Sequence, residues 1–252
     1  MHAYIGHYSF DLSKPIDLSL PLIPGAEGPK CFGAPEFQAE PVRAGDFVGS
    51  TEEGGPLNFL NLHINPHGNG THTECVGHLA GSPYTINRAL KRFLFQAELI
   101  SVKPETHGDD QVISLNSVQE ILGRRRAEAL VLRTIPNDVL KSNRDWTGSN
   151  PPYLEAELCA WLSKEGFQHL LLDLPSVDRE VDGGALAAHK AWWNYPGDNV
   201  RDKATITEMI YVPDEVEDGT YLLQFQIAPL EVDASPSKPV LYPQMEKLSF
   251  AD

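Results

Sequence analysis

Cysteine is scarce in this chain, and the three that occur, Cys31, Cys75 and Cys159, are odd in number and widely spaced. That pattern favours a reducing cytoplasm over an oxidising compartment. Basic residues are also short: 20 Lys+Arg stand against 35 Asp+Glu, a formal charge of −15, which opposes binding to nucleic acid or to an anionic membrane. The one dense basic run, Arg124 to Arg126, follows Gly123, where cations would complement a helix C-terminus. Long apolar runs are missing too. None approaches the ~18 residues a spanning helix needs, and no signal-like apolar segment precedes the folded-looking sequence. A soluble protein is expected, and 41% hydrophobic residues suffice for a substantial core.

What is present alternates between helix and strand signals. "PIDLSLPLIPG" reads as a short strand closed by a turn, and "PLNFLNLHINP" alternates so that Leu60, Leu62 and Ile64 would face the core while Asn61 and His63 face away. "PYTINRALKRF" suggests a short helix and "FQAELISVK" a strand. "ISLNSVQEILGR" has a cap, helical apolar spacing and a glycine stop, and "EALVLRT" follows as a strand. The pattern repeats in "NPPYLEAELCAWLSKEGFQHLLLDLPSVD", where prolines would open a helix with Leu154, Leu158, Trp161 and Leu162 on its apolar face, ahead of a buried strand "HLLLDL". Two adjacent helix-then-strand units indicate an α/β architecture. "GTYLLQFQI" gives a late strand, and "PLEVDASPSKPVLYP" an ordered but irregular tail. Residues 22 to 56 and 175 to 201 are expected to be long loops of the kind that carry function.

Histidine is the unevenly distributed residue. Three of the nine fall within "NPHGNGTHTECVGH", residues 65 to 78, together with a glutamate and three glycines. Imidazole and carboxylate are common ligands of zinc, manganese and iron, and glycines let nearby side chains converge. His72 and Glu74, two residues apart, would share one face of an extended strand, and His78 could return to them through a turn at Gly77. A bend across "GNGT" could bring in His67. His63 reads as a strand residue pointing away from the apolar face.

The stretch "GTHTECVGH" resembles the H-x-G-T-H-x-D-x-P-x-H signature of the cyclase family of metal-dependent hydrolases, which includes bacterial kynurenine formamidase and isatin hydrolase. "LLLDLPSVD", "AAHKAWW", "ATITEMIYV" and "PIDLSLPLIPG" resemble further family segments in the same order. The resemblance implies a single domain over residues 1–252, a swivelling β/β/α fold with a mixed sheet flanked by helices, and a homodimer or homotetramer. It implies that His72, Glu74 and His78 lie at a divalent metal, zinc or manganese, with Glu208 as a further ligand and His189 as a ligand or a proton-transferring base. His67 stands one residue farther from the G-T-H than the family's first histidine, Glu74 replaces an aspartate, and Val76 replaces a proline.

The activity so implied is hydrolysis of a small amide or cyclic amide by metal-activated water. Lactone opening or dehydration is a variant, and a catalytically silent metal-binding protein on the same scaffold is the competing reading. Trp192 and Trp193 cannot both face one side of a helix, so one is expected in the core and the other against substrate or a neighbouring subunit, with Phe32 and Phe37 as an opposite wall. Cys75 is expected to pack inward, and Ser176 lacks a nucleophile-elbow setting. Asp173 and Asp178 are assigned to turn hydrogen bonds, with support of a ligating histidine as a further role.

Overall fold

The structure, a computed structural model, describes residues 1–25 and 28–245. A mixed nine-stranded sheet runs in spatial order Ala234–Pro236, His72–Cys75, Thr205–Glu208, His169–Leu172, Ala129–Thr134, Leu94–Val102, Gly219–Gln224, Val240–Pro243 and Ile16–Asp17. The strands from Thr205–Glu208 through Leu94–Val102 are parallel to one another. Those on either side pair antiparallel.

The apolar runs explain the middle of the sheet. Every residue of Ala129–Thr134 and His169–Leu172 is buried, as parallel strands covered on both faces require. Helices Leu115–Leu122, Ala156–Lys164 and Ala187–Trp193 bring Val118, Leu158, Leu162 and Trp192 into one core with Ile100, Leu132, Leu172 and Ile206. The opposite face buries Leu99, Val131, Leu171, Leu223 and Phe225. Each fully buried side chain of this size contributes roughly 1.5–3 kcal/mol. The expected α/β fold is therefore present, with a mixed sheet flanked by helices.

Local signals act as read. Ser114 caps its helix by accepting from the Ser117 amide (3.2 Å), and Gly123 ends it at φ 56°. Arg125 then donates to the Ile121 carbonyl (2.7 Å) and Arg126 to that of Gly123 (3.2 Å), so the basic run closes a helix end.

Several expectations are corrected. Leu60–His63 is exposed throughout, with Leu60 at 45% and Leu62 at 61%, because among the described residues this strand pairs only with Gln38–Pro41 in a separate ribbon that no other layer covers. Pro151 and Pro152 precede a two-residue strand, Tyr153–Leu154, and the helix starts only at Ala156, so Leu154 is core but not helical. The short helix expected in "PYTINRALKRF" is present, by contrast, as the single turn Ile86–Ala89. The long loops are interrupted by the ribbon strand Gln38–Pro41 and by the helix Ala187–Trp193. The supposedly irregular tail supplies two sheet strands, Ala234–Pro236 and Val240–Pro243; its prolines are tolerated at strand ends and at the sheet edge.

Asp173 is not a turn residue. Its buried carboxylate accepts from the Thr134 amide (2.9 Å) and from Lys141 Nζ (2.8 Å), tying the ends of two parallel strands to the segment that follows. Removing one partner of a buried pair leaves an uncompensated charge and costs about 3–5 kcal/mol. Asp173→Ala should therefore lower the thermal midpoint by roughly 6–20 °C, at ~2–4 °C per kcal/mol for a domain of this size; a scanning-calorimetry midpoint equal to the parent's would show that the pair contributes nothing.

Candidate metal centre

Strand register assembles the first donors. Successive strand residues point to opposite faces, so His72 and Glu74 share one face while Thr73 turns to the other and bonds the Thr207 hydroxyl (2.8 Å). Antiparallel pairing sets Glu208 opposite His72, and His72 Nε2 lies 3.3 Å from Glu208 Oε2. Glu208 is the last residue of its parallel strand, so the cluster sits at the carboxyl ends of the parallel strands, where sites in open α/β sheets form.

The glycine-rich flanks bring in two more imidazoles. After Cys75 the chain enters the helical turn Gly77–Ala80, which carries His78; a Cβ on Gly77 would meet the Tyr84 carbonyl oxygen at 2.4 Å, so only glycine fits that approach. Before the strand, the Asn65 carbonyl accepts from the amides of Gly68 (3.2 Å) and Asn69 (2.9 Å). Gly70 then turns at φ 64°. This turn absorbs the additional residue of the motif. His67 Nδ1 reaches 3.1 Å from Glu74 Oε2, and its ring centroid stands 4.3 Å from that of His78.

His189 enters from the other side. Asp178 accepts from the amides of Ala188 (2.7 Å) and His189 (3.1 Å) at the start of the helix, and also from His189 Nδ1 (2.6 Å). A carboxylate in that position keeps Nδ1 protonated and leaves Nε2 as the atom that exchanges a proton. Nε2 lies 3.1 Å from Glu74 Oε1 and 3.9 Å from Glu208 Oε1. Glu208 is itself oriented by the Val177 amide, which donates to Oε1 (3.2 Å).

The electrostatics follow from burying these groups together. Burial opposes the ionised form of Glu74, yet the hydrogen bond and charge of His189, with His67 and His78, hold its carboxyl well below the usual range. Burial also opposes charge on His67, but Asp233 and Glu74 raise it to about 10. His189 is raised to about 10 against its burial by Asp178 and Glu74. Without a cation, protons on these imidazoles balance the buried carboxylates, and a bound cation would take over that charge.

A divalent cation fits this donor set. Buried polar atoms are ordinarily paired, but His72 Nε2 and Glu74 Oε2 have no hydrogen-bond partner among the described residues. They lie close to Glu208 and His67 without being aligned to bond them. Two groups, His67 with Glu74 and His78, and His72 with Glu74 and Glu208, each bring three potential ligand atoms within 4.8 Å of one another. Glu74 belongs to both.

The remaining candidates separate. Trp192 and Trp193 are both fully buried, so the expected wall against substrate is not formed by their rings. The helix is covered on both sides: the Arg201 guanidinium lies over Trp192 (4.7 Å), and Trp193 Nε1 donates to the Ala204 carbonyl (2.9 Å) while its ring stands 5.5 Å from His189. Phe32 is 50% exposed beside Cys31, whose thiol donates to the His67 carbonyl (3.3 Å). Cys75 is fully buried, and burial pushes its thiol up to about 11, which leaves it inert as a nucleophile. The site residue missed in the sequence is Asp233. It lies 2.8 Å from His67 Nε2 and 3.4 Å from His78 Nδ1, brought there because Ala234–Pro236 pairs with His72–Cys75. A lone acid in a proline-rich tail gives no periodic or spacing signal.

The sequence profile of the family described as "Putative cyclase" matches residues 10–179. Kynurenine formamidase from Bacillus cereus is 25% identical over 199 residues, covering 77% of this chain and 84% of that protein, and the Bacillus anthracis enzyme of the same name is 26% identical with the same coverage. Among solved structures, isatin hydrolase A from Ralstonia solanacearum superposes with a TM-score of 0.67 at 14% identity over 91% of each chain. A predicted metal-dependent hydrolase from Bacillus stearothermophilus superposes with a TM-score of 0.62 at 16% identity, over 91% of this chain and 98% of that one.

His72 is a fully buried strand residue rather than a loop ligand, so its removal should affect both metal and stability. For protein purified without chelator, mass spectrometry should show metal occupancy in His72→Ala reduced at least ~10-fold, since even indirect partners of a metal cost that much. His78→Ala, at an exposed position, should lose metal while keeping the melting temperature of the metal-stripped parent. Parental metal content in both variants would defeat the assignment.

Proposed function

The chain belongs to the Cyclase family, and from that membership we propose that it is a metal-dependent hydrolase cleaving the carbon–nitrogen bond of a small amide or cyclic amide, with arylformamidase-like chemistry. The carrying observation is the placement of His189 Nε2, 3.1 Å from Glu74 Oε1, beside buried donor atoms without a hydrogen-bond partner among the described residues. The kynurenine formamidase relatives support the amide class.

The roles divide by position. His72, Glu74 and Glu208, with His67 and His78, hold a divalent cation; imidazole and carboxylate together suit zinc, with manganese as the second choice. Bound there, such a cation supplies Lewis-acid polarisation of the carbonyl and acidifies a water. With a cation bound and supplying the positive charge that the imidazoles otherwise carry, His189 would be free to take a proton at Nε2 as water adds to the carbonyl carbon and to return it to nitrogen as the carbon–nitrogen bond breaks. Asp178 fixes the ring and its tautomer. The Val177 amide orients Glu208. Asp233, 2.8 Å from His67 Nε2 and 3.4 Å from His78 Nδ1, would orient both rings on the more open side of the cluster.

The same scaffold supports self-association. Leu60 and Leu62, which share one face of the ribbon, are 45% and 61% exposed, and exposed apolar surface of this kind marks protein contacts. On this reading the protein is a homodimer or homotetramer that docks through the ribbon, and Leu62→Glu should reduce the mass found by light scattering towards that of a single chain; a parental mass that Leu62→Glu leaves unchanged would rule the ribbon out.

A screen of N-formylated arylamines, cyclic imides and lactones on zinc- and manganese-loaded protein should give turnover with the first two classes. His189→Ala should lower kcat by about 10²–10⁴ with metal retained, and Asp178→Asn by about 10–100-fold. Full metal occupancy with no turnover of any class would instead establish a silent metal-binding protein.

A further inference from the structure

At the opposite end of the parallel strands lies a second, chemically different cleft. His169 opens its strand and Lys203 stands two residues before Thr205, whereas the metal donors cluster around Glu208; three residue steps along that strand place the two ends about 10 Å apart. The cleft has a volume of about 360 Å³, within the range of small-molecule sites.

Its lining is cationic in a chain of net charge −15. Lys91, Arg92 and Lys203 surround it and no acidic residue lines it. Arg92 is paired to Glu128, but no carboxylate among the described residues lies within ion-pairing distance of Lys91 or Lys203. Ala89, Leu90 and Phe95 form its apolar wall, each at most 8% exposed, with the Arg92 guanidinium 5.0 Å over the Phe95 ring. Between wall and cations sits His169, 96% buried, with Nδ1 bonded to the Thr205 hydroxyl (2.8 Å) and its ring 4.0 Å from that of Phe95. Its Nε2 makes no hydrogen bond among the described residues, although the residue lines the cleft. Burial, reinforced by Arg92 and Arg201, lowers the imidazole to about 3, so the ring stays neutral.

We propose that this cleft binds a small organic anion, a carboxylate carried on a compact apolar body, with the carboxylate held by Lys91 and Lys203 and the body seated against Ala89 and the rim of the cleft. Neutral His169 offers its free ring nitrogen as the polar contact between the two. Nothing in the metal centre is required for this binding.

Benzoate is the probe, with benzamide as its uncharged counterpart, titrated calorimetrically at low ionic strength into the parent, into Lys91→Ala/Lys203→Ala, and into parent stripped of metal by dialysis against a chelator. Both lysines are exposed, so the double variant should fold normally, which circular dichroism checks. The expected result is benzoate binding that weakens at least ~10-fold in the double variant, persists after metal removal and exceeds that of benzamide. Absence of binding to the parent, equal affinity in the double variant, loss of binding with the metal, or equal binding of benzamide would each overturn the proposal.

Discussion

A carboxylate withdrawn from water needs positive charge around it, and the burial of Glu74 imposes that requirement on the whole site. The residue is 1% exposed, and an uncompensated charge there would cost several kcal/mol. His67, His78 and His189 converge on its two oxygens from a turn, a helical turn and a helix. Each of those elements is held by its own device: the Asn65 turn, the glycine at 77, and Asp178 at the start of the helix. One residue, Glu74, thereby serves both donor groups.

Asp178 shows how fold and chemistry share an atom set. Its carboxylate satisfies two helix-start amides that would otherwise lack partners, and the same oxygens set the His189 tautomer. Stability of that helix start and readiness of the imidazole are therefore not separable properties. The sheet acts similarly, since the register that pairs His72–Cys75 with Thr205–Glu208 also sets His72 opposite Glu208.

Much of this was legible in the chain. The runs "ALVLRT" and "HLLL" announced buried strands, Ser114 and Gly123 bounded a helix, and the two-residue spacing of His72 and Glu74 put both on one strand face. What escaped did so for physical reasons. Alternation in Leu60–His63 reports only that one side of a ribbon is apolar, not that this chain covers it. Trp192 and Trp193 were assigned by helical geometry, which cannot show that a following segment packs over the far side. Asp233 depends on a strand pairing across more than 150 positions, and Asp173 on a lysine reaching in from the short helical segment Val139–Asn143. Local sequence carries no trace of either.

The pairing of Ala234–Pro236 with His72–Cys75, and of Val240–Pro243 with Ile16–Asp17, joins early and late parts of the chain in one sheet. During synthesis the histidine-rich stretch leaves the ribosome long before its edge strand and Asp233 exist. Over that interval its buried face and its imidazoles are uncovered, and contacts of such sequence separation form slowly. The centre is thus completed in time by the last part of the fold, and a growing chain in the cell carries a half-built site that holdase chaperones would be able to recognise as unfinished surface.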